Sequence, residues 1–181
     1  MRLLLIICTL FTSLISFSQN QGKNDTTTNI AFAEVVNADS VSKDDIYKKS
    51  MLWVADNFKD SKSAIRVSDK EAGVINGHAS FTMKFNPNPK NDNSRFDEFT
   101  FTWTIDIKNS KSRFSIYDII YNWGGSYLYP LTNDVKCPYY GFKSKAKMNE
   151  EWALFKIQFS KEMHALIANY SLSINKKNEN W

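Results

Sequence analysis

The clearest pattern in the chain is a strict alternation of apolar and polar residues from Phe99 to Lys108. Its apolar members are Phe99, Phe101, Trp103, Ile105 and Ile107. Successive side chains of a β-strand point to opposite faces of the sheet. The alternation therefore predicts a strand with one buried face and one hydrated face.

Apolar runs elsewhere predict four further strands, at residues 30–36, 64–67, 74–85 and 113–122. Asn76–Gly77 is a strong hairpin signal, but Val74 and Ile75 alone are too short for a separate strand. We therefore place the turn at 68–73 and expect a kink or bulge at Gly77. The segments 86–97 and 123–147 lack periodicity and predict long loops.

Two segments carry apolar residues at the three- and four-residue spacing of a helix. In the first, Ser42 is the expected N-cap, and Asp44 and Asp45 lie near the positive end of the helix dipole. The predicted core stripe of this helix consists of Tyr47, Met51, Val54 and Phe58. We place Ile46 and Trp53 on the flank of that stripe.

The second helix is predicted from Met148 to Tyr170, with Glu150 and Glu151 in its first turn. Its predicted core stripe consists of Met148, Trp152, Phe155, Phe159, Met163, Leu166 and Tyr170. At the helical rise its length is roughly 30–34 Å, which is enough to cross a whole sheet.

The order of these elements is strand, helix, four strands, helix (β-α-β-β-β-β-α). The last four strands are joined by turns or loops, so we expect an antiparallel meander. Two one-sided helices can cover the apolar face of the sheet, and the other face stays hydrated. The pattern predicts one two-layer α+β domain over residues 30–170, with a five-stranded antiparallel sheet and both helices on one face.

The N-terminus has the pattern of a secretory signal peptide. Arg2 precedes an apolar stretch that ends at Phe17, and Ser16 and Ser18 are small residues at the spacing of a cleavage site. We expect cleavage near Ser18 and a secreted or periplasmic protein. Residues 19–29 predict a flexible tail, and 171–181 predict a polar C-terminal tail. The apolar stretch is too short to span a bilayer, and no later stretch is longer, so no transmembrane segment is expected.

Charge and cysteine content narrow the class of protein further. Removal of Arg2 with the signal peptide lowers the formal net charge from +4 to +3, which gives no case for a nucleic-acid partner. Cys8 lies inside the signal and not at its end, so no lipoprotein is expected. The mature chain then holds only Cys137 and no internal disulfide. Whether that thiol is buried or reactive is open.

Several motifs resemble a family of secreted Bacteroidetes proteins called domain of unknown function 4468. The resemblance extends from Phe32 to Asn122 and rests on five short stretches, Ser42–Tyr47, Trp53–Val54, Phe58, Asp69–Ile75 and Lys111–Phe114. It implies a TATA-binding-protein-like fold and secretion by a bacterium. It implies no catalytic residues, and the name of the fold implies no DNA binding.

Catalytic and metal-binding patterns are weak. Cys137 with His78 or His164 could form a nucleophile and base, but no supporting motif surrounds the cysteine. The isolated His and Cys residues have no metal-ligand spacing, and the oxygen-rich stretch 91–98 lacks the spacing of an EF-hand. We expect no catalytic residue, no metal and no cofactor.

The loop 123–147 contains the best candidates for a binding site. Its aromatic and basic residues include Trp123, Tyr127, Tyr129, Tyr139, Tyr140 and Lys143. Aromatic side chains in a secreted loop can stack on sugar rings or anchor a protein partner. The alternative is that they fold back and close the end of the core.

The hydrated face of the sheet has two interpretations as well. Its aligned polar residues are Ser80, Thr82, Lys84, Thr100, Thr102 and Thr104. Cross-strand pairs among them would stabilise the sheet by roughly 0.2–1 kcal/mol each. The alternative is a platform for a polar ligand.

We expect a non-enzymatic binding or scaffold module that contacts an unknown protein or cell-envelope component. A second hypothesis is a carrier of a glycan or a small apolar molecule. Its pocket would lie between the sheet, the last helix and the loop 123–147, lined by Trp103, Phe155 or Trp123. A cysteine-dependent enzyme is the weakest of the three.

Overall fold

The computed structural model of the protein describes residues 28–58, 64–88, 90, 94–134, 136–138 and 143–176. The predicted signal peptide and most of the predicted N-terminal tail lie outside these residues. The elements in chain order are β1 (Phe32–Asn37), α1 (Lys43–Asn57), β2 (Ile65–Asp69), β3 (Val74–Phe85), β4 (Arg95–Lys108), β5 (Lys111–Trp123), β6 (Tyr127–Pro130) and α2 (Lys145–Asn175).

The strands form one antiparallel sheet in the order β1-β5-β4-β3-β2. The short strand β6 pairs with the end of β5, whereas β1 pairs with its beginning. Both helices contact the same face, which we call the covered face, and the opposite face is the open face. The predicted two-layer α+β fold is confirmed, and the sheet has six strands instead of the predicted five.

Aromatic rings of the two layers interlock on the covered face. Phe159 of α2 lies 4.4 Å from Phe99 and 6.1 Å from Phe32 between ring centroids. Trp103 stacks on Phe58 at 5.3 Å, and both Trp103 and Phe159 are 0% exposed. Burial of such rings is the main favourable term in folding, so this interlocking defines the core.

The buried side of α1 differs from the predicted stripe. Ser42 is the N-cap as predicted, and its hydroxyl accepts from the Asp45 amide at 3.1 Å. The buried residues of the helix, however, are Ile46, Ser50, Trp53 and Val54, while Tyr47 and Met51 are half-buried. The helix packs against α2 as well as the sheet, and this second neighbour turns the stripe toward Ile46 and Trp53.

Helix α2 is longer than predicted at both ends. It begins at Lys145, where Ser144 is the N-cap, so Glu150 and Glu151 lie beyond its first turn. It continues past Tyr170 to Asn175 because Ile174 is buried and Lys49 of α1 donates to the Ile174 carbonyl at 2.9 Å. The predicted core residues are buried except Leu166, which is half-buried beside the buried Ile167.

Two predicted loops contain regular structure. β4 begins at Arg95, inside the predicted loop 86–97, and there the Tyr121 hydroxyl donates to the buried Asp97 carboxylate at 2.8 Å. β6 lies inside the predicted loop 123–147. The end of the predicted N-terminal tail is also ordered, because Asn29 forms a β-bridge with Thr132.

Gly77 marks a close approach of two strands. A Cβ atom at this position would lie 1.8 Å from the Ala64 carbonyl oxygen and 2.7 Å from the Trp103 ring. The β2–β3 register shifts between Ile65 and Val67, directly opposite. The irregularity expected at Gly77 therefore lies in β2, whereas β3 pairs with β4 through Gly77 without a register shift. The turn lies at 70–73 and not at Asn76–Gly77, in agreement with the prediction.

Neither helix in the described part of the chain combines the length and apolarity needed to cross a bilayer.

Candidate functional site

Three of the six predicted binding residues are neighbours on the β5–β6 hairpin. Trp123 pairs directly with Tyr127 across the hairpin, and Tyr129 is two residues further along the same strand. Gly124 and Gly125 form the turn with φ of 62° and 75°, a backbone conformation that other residues rarely adopt. We call Trp123, Tyr127 and Tyr129 the aromatic row.

The aromatic row continues the core outward from the covered face. Tyr121, two residues before Trp123 and on the same side of β5, is buried 6.0 Å from Trp152 of α2. From there the rings of Trp123 and Tyr127 are 5.8 Å apart, and those of Tyr127 and Tyr129 are 6.5 Å apart with an interplanar angle of 18°. Tyr127 is 58% exposed, whereas the other two are half-buried. The row thus has one end anchored in the core and one end in solvent.

Of the other three predicted residues, the structure describes only Lys143. Lys143 donates to both carboxylate oxygens of Glu151, at 2.7 and 2.8 Å, so its charge is paired at the start of α2. Tyr139 and Tyr140 lie outside the described residues. Lys143 therefore belongs to an ion pair with Glu151, and the aromatic row is defined by Trp123, Tyr127 and Tyr129.

The segment after β6 is held against α2 by polar contacts. The Cys137 amide donates to Asn149 at 2.8 Å, and the Lys156 ammonium donates to the Asp134 carbonyl. Burial lowers the pKa of Lys156, whose ammonium also lies 5.6 Å above the Trp152 ring. These contacts fix the base of the β5–β6 hairpin on the helix.

The predicted nucleophile and bases are far apart. Cys137 is buried beside Asn149 on the covered side, whereas His78 lies on the open face, 3.0 Å from the Thr102 hydroxyl. His164 packs edge-on against Phe32. It lies fifteen residues along α2 from Asn149, roughly 22 Å at the helical rise. Neither histidine contacts the thiol in this arrangement.

Each ring suggested as a wall of a carrier pocket packs against other aromatic rings. Phe155 is fully buried among the rings of Phe85, Phe99, Tyr121 and Trp152, at 4.9–5.5 Å between centroids. Trp103 is stacked on Phe58, with 5.3 Å between ring centroids. Trp123 belongs to the aromatic row.

Polar side chains of the open face bond mainly to each other. Asn76 donates to the Thr104 hydroxyl at 2.8 Å and to the Tyr117 hydroxyl at 3.3 Å, and these hydroxyls lie 3.1 Å apart. Thr102 is buried beside His78. These bonds favour the interpretation of the central threonines as sheet-stabilising pairs.

The open face also has a cleft that the sequence analysis missed. It encloses about 290 Å³ at the β4–β5 hairpin and is lined by Val35, Asp106, Lys108, Lys111, Ser112 and Arg113. We call it the hairpin cleft. The two-residue turn between Lys108 and Lys111 could have indicated this cleft, because such a turn places its flanking residues opposite each other. Across the described residues, no three His, Cys, Asp or Glu side chains converge in a way that could hold a metal ion.

These features define a two-layer α+β protein whose antiparallel sheet has one face covered by two helices and one face open. The sequence model of a family described as "Domain of unknown function (DUF4468) with TBP-like fold" matches residues 32–122, which is half of the chain. The chain belongs to this family.

The chain is also similar to solved structures, and the first of them has the same fold. A DUF4468 family protein from Bacteroides ovatus ATCC 8483 is 14% identical, with a TM-score of 0.61 over 84% of this chain and 90% of that chain. A TBP-like protein from Parabacteroides distasonis ATCC 8503 is also 14% identical, with a TM-score of 0.48 over 79% of this chain and 92% of that one. No curated protein matches the chain.

Proposed function

We propose that the protein is a secreted or periplasmic, non-enzymatic binding module that contacts a cell-envelope component through the aromatic row. The observation that carries this proposal is the exposed end of the row, where Tyr127 presents more than half of its surface to solvent on a strand pair anchored in the core. Tyr and Trp side chains contribute much contact area with little loss of side-chain entropy on binding.

The rigidity of the row supports a binding role. Trp123 and Tyr129 are half-buried and lie on paired strands, and the base of the hairpin is fixed to α2 by Asn149 and Lys156. A preorganised surface loses less entropy when it binds. The distance of Cys137 from both histidines and the packing of Phe155 favour this proposal over an enzyme or a carrier.

The test is co-sedimentation of the purified mature protein with isolated cell envelopes. We expect Tyr127→Ala to weaken binding by roughly ten-fold or more, as for other exposed aromatic anchors. Phe96→Ala is the matched control, because Phe96 is an aromatic side chain on the open face with 73% exposure. Equal binding by folded Tyr127→Ala and the wild type would refute the role of the row.

Two additional measurements sharpen the proposal. Protease treatment of the envelopes separates a protein partner, whose loss abolishes binding, from a glycan, which survives. N-terminal sequencing of the protein from its native host tests secretion, for which a mature chain that begins near Gln19 is expected.

A further inference from the structure

The hairpin cleft contains an unfavourable pair of like charges. Lys108 and Lys111 are directly opposite each other in the β4–β5 register, and both are exposed. Like charges in this position destabilise a sheet. Among the ion pairs of the described residues, neither lysine has a carboxylate partner. An anion between the two ammonium groups would remove the repulsion.

Arg113 completes the cationic wall of the cleft. Its Nε and Nη2 atoms donate to one oxygen of Asp106, at 3.1 and 2.6 Å, and the two residues are cross-strand neighbours. This contact orients the planar guanidinium and leaves its remaining N–H groups as donors. A guanidinium fork matches the oxygens of a phosphate group.

Size and charge select the class of ligand. The three cationic side chains and one carboxylate that line the cleft have a net charge of +2, which balances a dianionic group. A volume of about 290 Å³ is small for a ligand pocket, yet it exceeds the needs of a single ion. Val35, which is the cross-strand neighbour of Arg113, provides an apolar wall for a short carbon chain.

We propose that the hairpin cleft binds the phosphate group of a phosphomonoester, with Lys108, Lys111 and Arg113 as its ligands. The phosphomonoester is either a small soluble molecule or the headgroup of a lipid. The site is separate from the aromatic row, since it is on the other face and at the other end of β5, ten residues or roughly 33 Å away. Failure of one proposal therefore leaves the other standing.

The first experiment is an NMR titration of the mature protein with inorganic phosphate at constant ionic strength. Saturable shifts are expected at the amides of Lys108, Lys111 and Arg113, with acetate binding more weakly. Lys111→Gln should weaken phosphate binding roughly ten-fold, the usual effect of losing one charge-assisted contact. Lys161→Gln, which removes an exposed lysine from α2, is the control and should bind as the wild type does.

The second experiment distinguishes the two sources of phosphate. Glycerol 3-phosphate tests the soluble molecule, and phosphatidylcholine vesicles with and without phosphatidic acid test the headgroup. Binding of either one that is lost in Lys111→Gln and retained in Lys161→Gln supports the site and names the source.

Three results would overturn the proposal. The first is the absence of saturable shifts at the cleft with every phosphate probe. The second is acetate binding as tight as phosphate binding, which would make the cleft a general anion site. The third is an equal loss of phosphate binding in Lys111→Gln and Lys161→Gln, which would show that the net charge of the protein, and not the cleft, governs binding.

Discussion

The two faces of the sheet contain the same strands but differ in how their side chains are used. On the covered face, rings such as Phe99 and Phe159 contact each other and are closed to solvent. On the open face, half-buried polar side chains form hydrogen bonds with each other, as Asn76, Thr104 and Tyr117 do. The difference indicates that the covered face contributes most of the stability. On the open face, Lys108 and Lys111 have no carboxylate partner among the ion pairs of the described residues.

The largest expected effect comes from the core rings. Phe159→Ala should lower the free energy of unfolding by about 3–5 kcal/mol, because it removes a fully buried ring between Phe32 and Phe99. Phe96→Ala on the open face should change it by less than about 0.5 kcal/mol. Urea denaturation of both variants measures the contrast, and similar losses would contradict the division between the faces.

The next contrast uses one tyrosine on each side of the sheet, Tyr170 of α2 on the covered side and Tyr117 on the open face. The Tyr170 hydroxyl is buried, donates to Ser112 at 2.8 Å and lies 3.0 Å from Ser50. Tyr170→Phe should cost about 1–3 kcal/mol, because it leaves buried hydroxyls without a partner. Tyr117→Phe should cost less than about 1 kcal/mol, since water reaches the half-buried group. A larger loss for Tyr117→Phe would reverse the comparison.

The buried hydroxyl also predicts a pH dependence. Burial raises the pKa of Tyr170, so the folded protein holds this proton to a higher pH than the unfolded chain does. Its stabilising contribution is complete below about pH 10 and is lost as the pH rises through the folded pKa, by at most about 1.4 kcal/mol per pH unit.

Urea midpoints between about pH 8 and pH 11 measure this dependence. The wild type should lose stability more steeply than Tyr170→Phe across that range. Lys156 titrates in both proteins, so its contribution cancels in the difference. Parallel pH profiles would show that the hydroxyl ionises as readily in the folded state as in the unfolded chain.

The smallest effect is expected from a comparison of two tryptophans on the covered side of the sheet, Trp53 of α1 and Trp103 of β4. The Trp53 Nε1 atom donates to Asn169 at 2.7 Å, whereas the Trp103 Nε1 atom is buried and has no acceptor among the described residues. Trp53→Phe should therefore cost about 0.5–1.5 kcal/mol more than Trp103→Phe, the net value of one hydrogen bond. Equal denaturation midpoints would mean that the Asn169 contact adds nothing.

Part of the fold was predictable because local patterns and tertiary burial agree. The alternation from Phe99 to Lys108 corresponds to β4, and Ser42 caps α1. The buried side of α1 was not predictable from the residue pattern of that helix. It depends on contact with α2, which comes more than eighty residues later in the chain. Strand β6 was missed for a similar reason, since a four-residue strand is defined by its pairing with β5.

The candidate sites show the same division. Trp123, Tyr127 and Tyr129 were selected by composition, but the hairpin that brings their rings together is a tertiary feature. The pairing of Lys143 with Glu151 depends on how the start of α2 meets the preceding segment. The hairpin cleft escaped prediction because Val35 reaches it only through the pairing of β1 with β5.

The sequence alone determined the α+β class, the two one-sided helices and the two-faced strands, because side-chain periodicity follows directly from backbone geometry. Tertiary structure decided which side of α1 is buried, where β6 pairs and which cations share the hairpin cleft. These features depend on residues far apart in the chain, whose contact is governed by the packing of whole layers rather than by any local pattern.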